Sequence, residues 1–137
     1  MATQPLRLRR LPKPVGPRVD RRVHRSDDTA TALELALTGA AKRGRLDAVI
    51  IVDDAGLLVA KNCTGLDLTM LAAVTPIVGR GKAVPRVRRD GQHRGMSVRP
   101  IELQGELLYV AAVGGEMAAR HREVMMGVAA TKRILAA

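Results

Sequence analysis

Large aromatic side chains are almost missing from this chain of 137 residues. It contains no Phe or Trp, and Tyr109 is its single aromatic residue. Readers of single-stranded nucleic acid stack bases on aromatic rings, so this composition counts against that class of protein. Without rings, the core must be packed by Leu, Val, Ile, Met and Ala. Because hydrophobic residues make up 47% of the chain, we expect most of it to form one globular domain.

Cysteine and the usual patterns of metal ligands are equally scarce. Cys63 is the single cysteine, which excludes an intrachain disulfide, and no neighbouring base could activate its thiol. His24, His93 and His121 have no second His or Cys at ligand spacing, and His121 is expected to be a half-buried histidine of the last helix. The sequence therefore predicts no catalytic residue, no metal site and no cofactor, and it favours a protein that is not an enzyme.

Long apolar runs are absent as well. No segment approaches the roughly 18 consecutive apolar residues of a transmembrane helix, and the N-terminus lacks the apolar region of a secretion signal. We therefore expect a cytoplasmic protein. The preference for Arg over Lys, with abundant Ala and Val, is typical of high-GC bacterial genomes.

Positive charge is abundant and unevenly distributed, with a formal net charge of +10. Residues 1–25 hold eight Lys and Arg against one Asp, and four prolines precede residue 18, so they are predicted to be a disordered basic arm before a domain at 26–137. Such an arm is either a solvated tail or a binding element for an acidic protein, nucleic acid or anionic lipid. The candidate binding residues of this arm are Arg7, Arg9, Arg10, Lys13, Arg18, Arg21, Arg22 and Arg25.

A second cluster of positive charge lies in residues 80–99. Its candidate binding residues, named the basic patch, are Arg86, Arg88, Arg89 and Arg94. Together with the arm, the basic patch supports a hypothesis of binding to nucleic acid or another acidic partner, because neutralising phosphates releases counterions.

The stretch "LDAVIIVDDAGLLVAKNC", residues 46–63, resembles the start of a nucleotide-binding site, in which a buried strand leads into a glycine loop. A phosphate-binding unit would place a helix directly after that loop. Here the apolar run resumes at Leu57 instead, so a short turn joins two segments that favour β-structure. The stretch therefore predicts an antiparallel hairpin.

Three helices are predicted around this hairpin and a later group of strands. Ser26 is expected to begin the first helix and Gly44 to end it. Asp67 is expected to cap a second helix at about 68–80, which is apolar nearly all round and contains Pro76. Three strands follow within 84–113, and a last helix spans 116–135. The order is α-β-β-α-β-β-β-α, an α/β (α+β) arrangement.

This order resembles the roadblock/LC7 family. The segments that carry the likeness are "LDAVIIVDDAGLLVAKN", "GLDLTMLAAVTPIVG", and "LLYVAAVGGE" before the terminal helix, within about residues 28–135. The resemblance implies a five-stranded antiparallel sheet, with the first and last helices on one face and the middle helix on the other. Members of the family are dynein light chains in eukaryotes or regulators of Ras-like small GTPases, and the best-known bacterial members are polarity regulators that stimulate such a GTPase.

The resemblance also implies dimerisation through the middle helix and the neighbouring edge strand, with the same chain or with a paralogous roadblock protein as partner. The all-round apolar second helix independently favours a second subunit, because one sheet can cover only one of its sides. The predicted interface residues are Leu68, Leu71, Ala72, Val74, Thr75, Ile77, Val78, Val84 and Val87. The leading hypothesis is a dimeric scaffold or regulator that binds a Ras-like small GTPase, and binding of nucleic acid is the alternative.

Overall fold

In the computed structural model, the residues described are 6–7, 9–10, 21–81, 86–89 and 92–136, with side chains described for 28–81, 86–87 and 92–136. The helices are α1 (Arg21–Gly44), α2 (Thr69–Gly79) and α3 (Met117–Leu135). The strands are β1 (Leu6–Arg7), β2 (Arg9–Arg10), β3 (Ala48–Asp53), β4 (Leu58–Lys61), β5 (Leu66–Asp67), β6 (Arg86–Arg89), β7 (Gln92–Leu103) and β8 (Glu106–Val113).

Five strands form an antiparallel sheet in the order β6-β7-β8-β3-β4. This is the sheet that the resemblance implied, and its strands occur where the sequence predicted them. The structure adds a sixth strand, because β1 pairs in parallel with the outer edge of β6. The strand β2 pairs with β5 in a separate two-stranded sheet.

Successive side chains of a strand point to opposite faces of the sheet, so the apolar residues form one core on each face. On one face, Ile50 and Ala111 pack with Leu71 of α2. On the other face, Ile51 and Val110 pack with residues of α1 and α3. The predicted placement of the helices, with the first and last together and the middle one opposite, is therefore confirmed.

The hairpin predicted between β3 and β4 is also confirmed, since these strands pair antiparallel. The carboxylate of Asp53 organises its turn: one oxygen accepts the backbone N–H of Ala55 and that of Leu57, each at 2.9 Å. Gly56 follows with φ of +84°, and a side chain there would meet the backbone of Ala73 in α2 at 3.0 Å. This turn therefore lies directly against the middle helix.

The first helix begins at Arg21, so the predicted start at Ser26 was wrong. Residues 21–25 contain no proline or glycine, and three of them are arginines, which favour helix. Arg21, Arg22 and Arg25 thus belong to α1, whereas Arg7, Arg9 and Arg10 lie in β1 and β2. Lys13 and Arg18 are outside the described residues, and the division of the chain at residue 25 stays a prediction.

Helix α3 buries two charged residues that the sequence did not indicate. Met117 is 64% exposed and His121 is exposed too, so the expectation of a half-buried histidine was wrong. Arg120 and Glu123 are buried in α3, together with Val124, Gly127, Val128 and Thr131. No helix in the described part of the chain is long and apolar enough to cross a membrane.

Candidate interaction surface

Helix α2 is held at both of its ends by aspartates. At the start, the N-cap residue is Leu68, so the predicted cap at Asp67 was off by one residue; the carboxylate of Asp67 accepts the backbone N–H of Thr69 at 3.0 Å from just outside the helix. At the end, the Arg80 guanidinium contacts Asp54 Oδ1 at 2.7 Å and the Asp54 carbonyl at 3.1 Å. The Tyr109 hydroxyl also donates to Asp54 Oδ1, at 3.3 Å. These contacts fix α2 to the turn between β3 and β4.

The contact with Arg80 changes the pKa of Asp54. The hydrogen bond from Arg80 stabilises the charged carboxylate and holds the pKa of Asp54 below its ordinary value of 3.8. Both side chains are about half exposed, so the pair contributes little by itself and its importance lies in its position at the end of α2.

Close approach between α2 and the sheet depends on Gly79, the last residue of the helix. A Cβ atom there would lie 2.6 Å from Cε1 and 2.7 Å from Cδ1 of the Tyr109 ring. Tyr109 is only 3% exposed, since the end of α2 covers it. The single aromatic ring of the chain is thus packed beneath the middle helix.

One side of α2 is buried in the protomer and the other is open. Leu71, Ala72 and Thr75 are almost completely buried against the sheet. On the opposite side, Met70 is 55% exposed and Ile77 is 41% exposed. The exposed side, with Met70, Ala73 and Ile77 flanked by half-buried Val74 and Val78, is hereafter the α2 surface.

The predicted interface residues lie partly on the buried side of α2 and partly on its exposed side. Leu68, Leu71, Ala72, Thr75 and Val87 are buried in the protomer's own core, so in this structure no second molecule can reach them. Ile77, Val74 and Val78 remain accessible, and Val84 lies outside the described residues. Sequence reasoning missed Met70, although its three-residue spacing from Ala73 and seven-residue spacing from Ile77 place all three on one helical side. The interface itself stays a prediction.

The strand β6 lies at the border of the same face. Its residue Val87 is fully buried in the core that includes Leu71 and Met96, whereas Arg86 is exposed. One edge of β6 pairs with β7, with Val87 opposite Arg94. The other edge pairs with β1, which also contacts α2.

The basic patch is only partly available for a partner. Arg94 forms an ion pair with Asp47 at 3.1 Å, so part of its charge is neutralised inside the protein. Arg86 is exposed, and Arg88 and Arg89 are placed in β6 by the backbone. Because β1 pairs with β6, the structure brings Arg7 of the arm into register with Arg88 of the basic patch.

The opposite face of the sheet holds a buried guanidinium that sequence reasoning missed. Arg120 is 7% exposed, and it donates to Ser97 Oγ at 2.9 Å and to the carbonyls of Gly114 and Gly115 at 3.1 and 3.3 Å. Burial lowers the pKa of Arg120 from its ordinary value. A Cβ atom at Gly95 would lie 2.6 Å from this guanidinium, so the absence of a side chain at Gly95 makes room for Arg120. These contacts join α3 to β7.

Glu123 is the second buried charge, at 1% exposure. Arg43 of α1 donates to its Oε1 from Nε at 3.1 Å and from Nη2 at 3.0 Å, and Arg122 donates to Oε2 at 3.0 Å. The carboxylate therefore links the two helices of this face. Neither Arg120 nor Glu123 is placed to act on a ligand, because their polar atoms are engaged within the protein.

Chemistry-bearing residues do not converge elsewhere in the described regions. An open groove of about 530 Å³ is lined by the end of α2, by β7 and by α3, and includes His121 and Arg99. Ser97 contributes a hydroxyl group to this groove, but that hydroxyl already accepts a hydrogen bond from Arg120. Among residues 21–81, 86–89 and 92–136, no group of three or more His, Cys, Asp and Glu could hold a metal ion. The arrangement offers surfaces for binding.

Comparison with known proteins identifies the fold. Neither a protein-family model nor a curated protein sequence matches the chain. Among solved structures, Myxococcus xanthus MglB is 13% identical with a TM-score of 0.54, and the match covers 77% of this chain and 89% of that one. A structure described as MglB with tetrameric arrangement is 14% identical with a TM-score of 0.55 and the same coverages. The roadblock/LC7-type fold predicted from the sequence is confirmed.

Proposed function

We propose, from the fold that it shares with MglB, that this protein is a non-enzymatic, dimeric regulatory module that binds a Ras-like small GTPase in the cytoplasm. The observation that carries the proposal is the α2 surface, where Met70 and Ile77 are 55% and 41% exposed on a helix that is otherwise packed into the sheet. Exposed apolar side chains grouped on one rigid element are typical of a protein interface.

The first partner of this surface is a second copy of the chain, or a paralogous protein of the same fold. Pairing two α2 surfaces would cover Met70 and Ile77 of both copies, as burial of apolar area requires. The contacts of Asp67 with Thr69 and of Asp54 with Arg80 support this role, because they position the helix at both ends. Such preorganisation lowers the entropic cost of association.

The second partner is the GTPase, which would bind the platform formed by the paired protomers. Phosphoryl transfer is catalysed mainly by positioning and by charges around the phosphates. The regulator would therefore act by orienting groups of its partner, which requires no catalytic set of its own. Whether the effect is activation, inhibition or scaffolding depends on which state of the GTPase is bound more tightly.

Binding to purified Ras-like GTPases of the source organism tests the proposal. Each GTPase would be loaded with GDP or with a non-hydrolysable GTP analogue and titrated with the full chain by biolayer interferometry. We expect one GTPase to bind with an affinity that depends on the nucleotide. Ile77→Glu should weaken this binding, whereas Leu35→Glu, at a 68% exposed position on α1, serves as the matched control. If no GTPase binds in either nucleotide state, the proposal is rejected.

The alternative function is binding of nucleic acid, and one observation favours it. The pairing of β1 with β6 puts Arg7 of the arm in register with Arg88 of the basic patch, which joins the two positive segments of the sequence. Against it, Arg94 is already paired with Asp47.

Salt dependence separates the two functions. For duplex DNA, six neutralised phosphates would give a log–log slope of about −5 between affinity and salt concentration. Replacing Arg86, Arg88 and Arg89 with alanine should then flatten the slope. We expect GTPase binding to show a shallow dependence on salt and to survive deletion of residues 2–20. Tight retention of DNA or RNA at physiological salt, lost with that deletion, would favour the alternative.

A further inference from the structure

We propose that β1 (Leu6–Arg7) covers the outer edge of β6 within the same molecule and competes there with a second copy of the chain, while β2 (Arg9–Arg10) holds the N-terminal segment on β5. The proposal rests on the dimer proposed above. It adds that the N-terminal segment limits dimerisation, so that release of this segment favours the dimer.

The segment crosses the border of the proposed interface. Leu6 and Arg7 pair in parallel with Val87 and Arg88 of β6. Arg9 and Arg10 then pair antiparallel with Asp67 and Leu66 of β5, directly before α2. Since β1 also contacts α2, the segment extends from the sheet edge to the beginning of the middle helix.

Strand pairing makes the competition exclusive. A strand has two edges, each with its own row of backbone N–H and C=O groups. In β6, one row is used by Gln92–Gly95 of β7 and the other faces β1. A strand from a second copy can therefore extend the sheet at β6 only after β1 has left.

The cover is also easily displaced. Each pairing involves only two residues of the segment. Backbone hydrogen bonds contribute little net stability when water can replace them, and ordering a short segment costs a comparable free energy. Arg9 lies in register with Asp67, an opposite charge, whereas Arg7 lies in register with Arg88, a like charge.

Deletion of residues 2–10 tests the competition by sedimentation equilibrium. If the edge is open in about one molecule in ten, association of two open copies is weakened about a hundredfold, and the deletion removes this penalty. We therefore expect the dimer dissociation constant to fall by about ten- to a hundredfold. Unfolding transitions of the two proteins, recorded at a concentration where both are monomeric, control for an altered fold.

Three other outcomes are possible, and each of them contradicts the proposal. Equal dissociation constants would overturn the competition and leave the proposed dimer intact. Weaker dimerisation after deletion would overturn it too, because the segment would then contribute to the dimer. Monomers for both proteins at all concentrations would overturn the competition together with the dimer on which it rests.

A reversible lock provides an independent test in the full-length chain. In parallel strands, registered Cα atoms are spaced at about 4.8 Å, within the range that a disulfide can bridge. Arg7→Cys with Arg88→Cys, in a Cys63→Ser background, would join β1 to β6. We expect the oxidised protein to be monomeric at a concentration where its reduced form is dimeric. A protein with Arg7→Cys and Cys63→Ser alone is the control, and equal dimerisation of the oxidised and reduced forms would refute the proposal.

Discussion

Replacing Ile77 with glutamate should separate the two copies of the proposed dimer while each copy stays folded. Ile77 is 41% exposed on the α2 surface, so a carboxylate there can reach water in the monomer. Exposed substitutions of this kind change the free energy of unfolding by about 1 kcal/mol or less. In a symmetric dimer, however, the change introduces two charges into one apolar contact.

The matched substitution Leu71→Glu should instead unfold the protein. Leu71 is on the same helix but is 0% exposed, within the core formed with β3 and β8. Removing a buried leucine costs about 2–5 kcal/mol, and an unpaired buried carboxylate adds several more. The sum approaches the whole stability of a typical domain, which is about 5–15 kcal/mol.

Light scattering over a dilution series and thermal unfolding would measure both effects. If interface disruption costs about 3 kcal/mol, Ile77→Glu raises the dimer dissociation constant more than a hundredfold. Leu35→Glu on α1 should leave both quantities unchanged, since Leu35 is 68% exposed on the opposite face. A folded Ile77→Glu protein with the original dissociation constant would refute the assignment of the α2 surface as the interface. A normal melting temperature for Leu71→Glu would refute the packing of the helix.

Four further substitutions test contacts described above, three as perturbations and Gly39→Ala as a control. Gly79→Ala should destabilise the protein by about 1–3 kcal/mol in urea titrations, because the new Cβ would lie 2.6 Å from the ring of the single tyrosine. Gly39→Ala in α1, where the new Cβ meets only a flexible side chain, should be neutral or stabilising. Asp54→Asn should lower the melting temperature slightly at pH 7, and the difference should shrink as pH falls below the ordinary carboxyl range. The pKa of Asp54 is depressed by Arg80, so its stabilisation is present above 3.8 and is lost as pH falls through the lower folded-state value. Arg120→Met should cost about 2–4 kcal/mol, since it leaves buried acceptors without a donor; an unchanged urea midpoint would contradict these hydrogen bonds.

Local patterns were sufficient to predict the five main strands and the three helices, whereas their arrangement in one sheet was implied by the resemblance to the roadblock/LC7 family. The apolar runs on either side of Asp53 and Gly56 indicated a hairpin because two strands and a turn are encoded within a few neighbouring residues. In the same way, Asp67 indicated the beginning of α2. The all-round apolar character of α2 favoured cover on both its sides, but it could not show which residues the sheet buries. That division depends on the rotation of the helix, which is fixed by tertiary contacts.

The features missed by the sequence prediction depend on residues far apart in the chain. Arg120 is buried because Ser97 and two glycine carbonyls accept its hydrogen bonds, and Glu123 because Arg43 reaches it from α1. Nothing in helical spacing distinguishes such a charge from a solvated one. The strands β1 and β2 each contain two residues, which is too short for any alternation to be seen.

The position of Tyr109 gives the protein an internal spectroscopic probe. With no Trp or Phe in the sequence, near-ultraviolet circular dichroism of the aromatic side chains reports on this one ring. The ring lies beneath the end of α2, and its hydroxyl contacts Asp54 at 3.3 Å. Such signals require fixed tertiary packing and disappear when packing loosens while helices persist. Any movement of the middle helix away from the sheet in this protein alone can therefore be followed without a label.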